Sequence, residues 1–169
     1  MATDHFLTSE SSFLSLVHHA LSVQQTEDGY FQINRFTDGQ REEASSHPLY
    51  KAMANTAAGA CLRFKTHTPV QLDIKRINQS LLPRAEEHAL DLAALYGRPL
   101  DLNESIDVVY QDGNVEYLPL KSGAIGIDAE QTVSIHLPLH HQVEVRLRGE
   151  VEPLDQKRSA FLMMGDSII

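Results

Sequence analysis

Apolar and polar residues alternate over most of the middle of this chain. From Ala58 the period is two, with Ala60, Leu62 and Phe64 interleaved with Cys61, Arg63 and Lys65. After Pro69, Val70, Leu72 and Ile74 interleave with Gln71, Asp73 and Lys75. Each run offers one apolar and one polar face, as a half-buried strand requires. Their succession across a tight connection predicts a hairpin in an antiparallel sheet. Ile106, Val108 and Tyr110 lead into the turn Asp112-Gly113, and Val115 and Tyr117 alternate beyond it. Val133, Ile135 and Leu137 are expected to pair with Val143, Val145 and Leu147 across Pro138-Leu139-His140-His141. Another short strand, Tyr30 to Phe36, follows the turn signal Asp28-Gly29.

Three stretches read as helix. Over Phe6 to Leu21, the residues Phe13, Leu14, Leu16, Val17, Ala20 and Leu21 share one side. Pro48 opens a short helix running to about Asn55. Leu82 to Tyr96 has Pro83 at its start, Glu86 and Glu87 in its first turn and Gly97 past its end. Seven or more half-buried strands with turns between them predict a mainly β fold, a jelly-roll-like β-sandwich with short helical additions. Leu62, Phe64, Leu72, Ile74, Val108, Val133, Ile135, Val143 and Val145 should line its interior. Gly149 to Lys157, with Pro153 and several charges, reads as a linker, and Ala160 to Met164 then lacks alternation, as a strand buried on both faces would. The expected division is a helical extension over 1–28, the sandwich over 29–152, and a linker plus the first strand of an α/β domain over 153–169.

Composition narrows the partners. Hydrophobic content of 42% and charged content of 22% are ordinary for a globular chain. Fourteen Lys+Arg against twenty-three Asp+Glu leave a formal charge of -9. An acidic surface repels phosphate backbones, which argues against nucleic acid. No apolar run approaches the roughly 20 residues that span a bilayer, which argues against a membrane. Met1-Ala2-Thr3-Asp4-His5 lacks the basic start of a secretory signal, and the single cysteine, Cys61, suits a reducing compartment. The expected location is the cytoplasm.

The candidate chemistry lies near the C-terminus, where Ala160 to Met164 run into Gly165-Asp166-Ser167-Ile168. A serine at the end of a buried strand, opening a helix, projects its hydroxyl from the sheet edge. The free backbone N–H groups beside it can stabilise an oxyanion. The simpler alternative is an ordinary strand-to-turn segment. Upstream, four segments come in order: Ile33-Asn34-Arg35-Phe36, Ala58-Gly59-Ala60-Cys61-Leu62-Arg63-Phe64-Lys65-Thr66, Asp107-Val108-Val109-Tyr110-Gln111-Asp112-Gly113, and Val143-Glu144-Val145-Arg146-Leu147. In this order, from about Gly29 to the end, the chain resembles the N-terminal β-sandwich region of bacterial SGNH (GDSL-type) esterases, up to their Gly-Asp-Ser block.

That resemblance implies that Ser167 is the nucleophile of a full-length enzyme, with Gly165 and Asp166 supporting the turn and the oxyanion. It implies no cofactor and no metal. The substrate would be an acyl ester, chiefly acetyl, of a small molecule or carbohydrate. The missing SGNH catalytic domain would be the sandwich's own partner. In these esterases the base is the histidine of an Asp-x-x-His pair. None of the nine histidines here has an acid three residues before it, so the 169-residue chain alone is expected to be inactive. The apolar tail Phe161 to Ile169, lacking that domain, would favour a homo-oligomer.

Other side chains offer weaker signals. His136, His140 and His141 with Glu144 superficially match a cupin-type metal site, but adjacent histidines in a turn point apart, and a solvated turn is simpler. His18 and His19 likewise straddle two faces. Cys61 shares a strand face with Arg63 and Lys65, whose charges would lower its pKa, although a cysteine packed at a sheet edge is the plainer reading. Arg63, Lys65, Lys75 and Arg76 face away from the core and either rim a binding face or are simply solvated. Two alternatives stay open: a free-standing ligand- or carbohydrate-binding sandwich with an accidental Gly-Asp-Ser, and a cupin-like metal enzyme, which the histidine spacing opposes.

Overall fold

The computed structural model describes residues 9–77, 105–119, 123–138 and 141–154. Within them the chain forms α1 (Glu10–Leu14), β1 (Val17–His18), β2 (Ser22–Gln25), β3 (Phe31–Asn34), α2 (Asp38–Ala44) and α3 (Pro48–Ala54). It continues through β4 (Cys61–Thr66), β5 (Val70–Arg76), β6 (Ser105–Tyr110), β7 (Val115–Pro119), β8 (Gly123–Ile127), β9 (Thr132–His136), β10 (Val143–Arg148) and β11 (Val151–Pro153). The strands make two antiparallel sheets. One has the order β1-β4-β9-β6-β7, with β11 also on β4, and the other has the order β2-β3-β10-β5-β8. No helix among the described residues is long and apolar enough to cross a membrane.

The pairing is nested: β3 with β10, β4 with β9, β5 with β8, and β6 with β7. A long hairpin of these eight strands, rolled once upon itself, gives the two orders β3-β10-β5-β8 and β4-β9-β6-β7. This is jelly-roll topology, as the alternating runs predict. All nine expected core residues are buried, and Phe13, Phe31, Ile33, Ile106 and Leu147 join them in the core. The Asp112-Gly113 hairpin forms as expected, with Val109 opposite Val115.

Three expectations are corrected. Strands β4 and β5 do not form a hairpin, since β4 lies in one sheet and β5 in the other. The same is true of β9 and β10, which face each other across the core instead of pairing. A period of two reports which face is buried, and two such strands can bury their apolar faces either side by side or face to face. At the β4–β5 corner, the Thr66 hydroxyl donates to the Asp128 carbonyl at 2.8 Å and accepts from the Gln131 N–H at 2.9 Å. This clasp holds the end of β4 to the sheet it already occupies while the chain crosses to the other.

The N-terminal helix is the third correction. Only one turn forms, capped by Ser9, whose hydroxyl accepts from the Ser12 N–H at 3.1 Å. Val17 and His18 then pair with Leu62 and Cys61. His19 has a φ of +63°, which breaks the helical path, and β2 follows. The spacing of Phe13, Leu16 and Val17 is helical, but β4 supplies backbone partners to Val17 and His18, and the strand they form ends the helix after one turn. Phe13 stacks on Phe31 with ring centroids 4.2 Å apart. Residues 17–25 thus belong to the sandwich, and the expected boundary at 28 falls in the β2–β3 turn. The predicted helix over Leu82 to Tyr96 lies outside the described residues, as does the expected α/β strand Ala160 to Met164.

The corner between β10 and β11 runs alongside the corner between β4 and β5. Gly149 has a φ of +122°, and a Cβ there would meet Val70 Cγ2 at 2.9 Å and the Pro69 carbonyl at 3.2 Å. Substitution therefore combines backbone strain with overpacking. Gly149→Ala should cost roughly 2–4 kcal/mol, read as a lowered urea midpoint at unchanged slope. At Gly113, with a φ of +89° and open space around its Cβ direction, alanine should cost only about 1–2 kcal/mol.

Candidate functional site

The strand registers sort the connections into two ends. At one end lie the short reversals 26–30, 67–69, 111–114, 128–131 and 149–150. At the other lie 19–21 and 35–60, and there too β5, β7 and β9 end and β6, β8 and β10 begin. The long connection 35–60 therefore shares its end with the close of β5 and the start of β6. Loops of this kind on a rigid scaffold are where binding and catalytic groups gather. Of the described histidines, His18, His19, His47, His136 and His141 lie at this end, and His67 at the other.

Helices α2 and α3 fill the 35–60 connection. Thr37 caps α2 in a reciprocal capping box with Gln40. Arg35 ties α3 down: its Nε donates to the Thr56 carbonyl at 3.0 Å and its Nη2 to the Met53 carbonyl at 3.1 Å. Arg41 reaches the buried Asn34 Oδ1 at 2.7 Å and pairs with Asp38. Tyr50 and Met53 of α3 remain exposed, with the His47 ring 4.9 Å from that of Tyr50.

One row of side chains crosses the outer face of the first sheet at this rim. In register it runs His18, Cys61, His136, Asp107, Tyr117. Cys61 thus sits between two histidines on neighbouring strands, with β1 and β9 on either side of it, and not at a sheet edge. Burial pushes the Cys61 thiol up, against the opposing charge of Arg63. Burial pushes the His18 imidazole down, aided by Arg63 and His19. Both groups are therefore neutral near pH 7, and no thiolate–imidazolium nucleophile arises. His18 Nε2 is buried without a hydrogen-bond partner. Among the described residues, no group of three or more His, Cys, Asp and Glu side chains is set to hold a metal ion.

The outer face of the second sheet carries a polar network. Arg146 donates from Nη2 and Nε to Asp73 Oδ2 at 2.8 and 3.2 Å, and Gln71 Nε2 donates to Asp73 Oδ1 at 2.5 Å. Lys75 Nζ lies 2.7 Å from Asp28 Oδ2 and 3.1 Å from Glu144 Oε2. The Tyr30 ring lies 4.5 Å from the Arg146 guanidinium and 5.4 Å from Lys75 Nζ. Burial works to raise the Asp73 pKa, but the bonds from Gln71 and Arg146 outweigh it and hold it low. Asp28 is held at about 2, chiefly by its bond from Lys75 and next by Thr26. These groups satisfy one another, so the face is a structural seam.

The sequence-derived candidates fall out as follows. Gly165, Asp166 and Ser167 lie outside the described residues, as do Glu86, Glu87 and His140. His136 and Glu144 stand on the outer faces of opposite sheets, which separates the cupin-like set. Arg63 and Lys65 lie on one outer face and Lys75 on the other, so they rim no common surface. The paired network around Asp73 was not singled out from the sequence. Its signal is the opposite charges at the polar positions of β5 and β10, legible only once those strands are known to be neighbours.

No family model matches the chain, and no curated protein matches it. Among solved structures, the salicylyl-acyltransferase SsfX3 from a tetracycline biosynthetic pathway is similar, with a TM-score of 0.55 and 16% identity. The match covers 85% of this chain and 39% of that one, so the chain spans about two fifths of the length of that protein. The likeness is one of fold.

Two outcomes follow from the electrostatics. A carboxylate whose folded pKa is depressed contributes stability that is complete above its ordinary value, 3.8 here, and is lost as pH falls through the folded value. The urea midpoint should fall as pH drops from about 4 towards 2. Asp73→Asn should make that fall shallower while lowering stability at pH 7 by about 1–3 kcal/mol. Cys61, buried and protonated, should react with a thiol reagent at least roughly tenfold more slowly in the native chain than in urea. Equal rates would refute the shielding.

Proposed function

We propose that this chain is the accessory β-sandwich of a serine-dependent acyl-transferring enzyme of the GDSL-esterase type, acting on an acyl ester of a small molecule or carbohydrate. The observation that carries this is the ordered set of segments ending in Gly165-Asp166-Ser167-Ile168. Topology is consistent with it: among the described residues, the eight strands of the roll pair with one another before residue 154. The fold likeness to an acyltransferase of greater length is consistent with it, because an esterase and an acyltransferase differ only in whether water or another nucleophile takes the acyl group. Ser167 would be the nucleophile, Gly165 and Asp166 would shape its turn, and the base and remaining oxyanion donors would come from outside these residues. The location best matching the single cysteine is the cytoplasm.

A second reading, a free-standing binding module, draws on the long connection 35–60 at one end of the roll. Activity separates the two. The 169-residue chain should turn over p-nitrophenyl acetate negligibly, because no histidine base accompanies Ser167. A longer gene product containing an Asp-x-x-His pair should hydrolyse it, and Ser167→Ala should remove that activity by a factor of about a thousand or more. Esterase activity surviving Ser167→Ala would reject the nucleophile. A longer product inactive on every ester offered would reject the family reading.

A further inference from the structure

Among the described histidines, His67 alone lies at the short-turn end, directly after β4. Its ring stands between two carboxylates. Nε2 lies 3.1 Å from Glu152 Oε2, and Nδ1 lies 4.0 Å from Glu130 Oε1. A neutral imidazole has one N–H and one lone pair, so one of those carboxylates then faces a lone pair. The imidazolium offers an N–H to each. The surroundings therefore match the protonated ring.

The two carboxylates come from different elements. Glu130 sits in the turn between β8 and β9, and Glu152 is the middle residue of β11. Lys65 of β4 stands opposite Glu152, so Lys65, His67 and Glu152 share the outer face of the first sheet. The Thr66 N–H goes to the Gln131 carbonyl on the other side of β4. Alternation of the antiparallel bonds then turns the main-chain groups of Lys65 towards Glu152, whose amide reports the pairing of β11. The remaining charged residues of the elements packed around His67 are Asp128, in the turn that holds Glu130, and Glu150, just ahead of β11. Arg148, which ends β10, stands opposite Gln71 on the outer face of the other sheet. Lys65 attracts Glu152 throughout the neutral range, and His67 adds to that attraction only when charged.

We infer that His67 is a pH-responsive clasp on β11, the strand that carries the chain out of the sandwich. Protonation places a cation between Glu130 and Glu152 while β11 is docked, and beside Glu130 alone once β11 opens, so acid favours docking. The gain is complete where the ring is charged and is lost as pH rises through the histidine range, about 6 to 7. An exposed ion pair shifts an equilibrium by only about twofold to fivefold. That is small against global unfolding but large for β11, which has three residues and pairs with β4 alone among the described residues. Running antiparallel to β4, β11 heads towards the end that bears the 35–60 connection, and its docking sets the direction in which the chain leaves Pro153. The inference is independent of any catalytic role for Ser167.

Amide exchange at Glu152, corrected for the intrinsic effect of pH, tests the clasp. In the 169-residue chain, protection there should rise about twofold to fivefold as pH falls from about 8 to about 5.5. His67→Gln should keep the circular dichroism of the natural chain and lose this response. His67→Arg, whose charge is fixed, should show the acid-like protection at both pH values. A response that persists in His67→Gln would overturn the inference. Protection in the natural chain that stays level, or that rises towards pH 8, would overturn it as well.

Discussion

At the short-turn end of the sandwich two chain reversals run side by side in contact, and one absent methyl group makes room for both. Strand β4 crosses to β5 at Pro69 and Val70, and β10 crosses to β11 at Gly149. Because β4 pairs with β11 in one sheet and β5 with β10 in the other, the two arches are stacked. Gly149 sets their separation, since a Cβ would lie 2.9 Å from Val70. Neighbouring arches of this kind lie one strand spacing apart, about 4.8 Å, so there is no room between them for an added side chain. Phe64 and Leu72, on either side of this corner, are both fully buried, so the core closes immediately beside it.

Fixing the fold at one end frees the other. With tight reversals holding the registers, the connections at the opposite rim can lengthen without disturbing the core. The long connection 35–60 is placed there, and β5 ends and β6 begins at the same rim. Arginines fasten this connection to the sandwich, Arg35 through the carbonyls that end α3 and Arg41 through Asn34. A carbonyl at a helix end needs a donor, and a guanidinium supplies several in a fixed fork. The helices are thereby carried by the scaffold: α2 buries no residue at all, and α3 buries Ala54.

What the sequence revealed divides along physical lines. Burial of one strand face is a local property, so a period of two located all nine core positions. Choice of partner is not local. Strands β4 and β5, or β9 and β10, read as hairpins because nothing in their own residues distinguishes a turn within a sheet from a crossing between sheets. The first helix ends early for the same reason: Phe13, Leu16 and Val17 have helical spacing, and the pairing of Val17 and His18 with β4, a distant segment, overrides it. Rows such as His18, Cys61 and His136 combine three distant segments and exist only through register. The Gly-Asp-Ser block is the reverse case, legible as sequence and outside the described residues.

The chemistry of the sandwich bears on how an acyl-transfer role could be divided. The strongest charges on the second sheet are spent on one another, Asp73 on Arg146 and Lys75 on Asp28 and Glu144. The thiol and imidazole that lie side by side on the first sheet are both held neutral by burial. A nucleophile needs a base within hydrogen-bond reach and a place for developing negative charge. Groups already satisfied or kept neutral supply neither. On the proposed reading the reactive atoms belong to the segment opened by Gly165, and the roll contributes a rigid rim and its long connection 35–60. A scaffold with such a task gains from having its ionisable groups paired, because each paired group is one fewer competitor for the substrate's polar atoms.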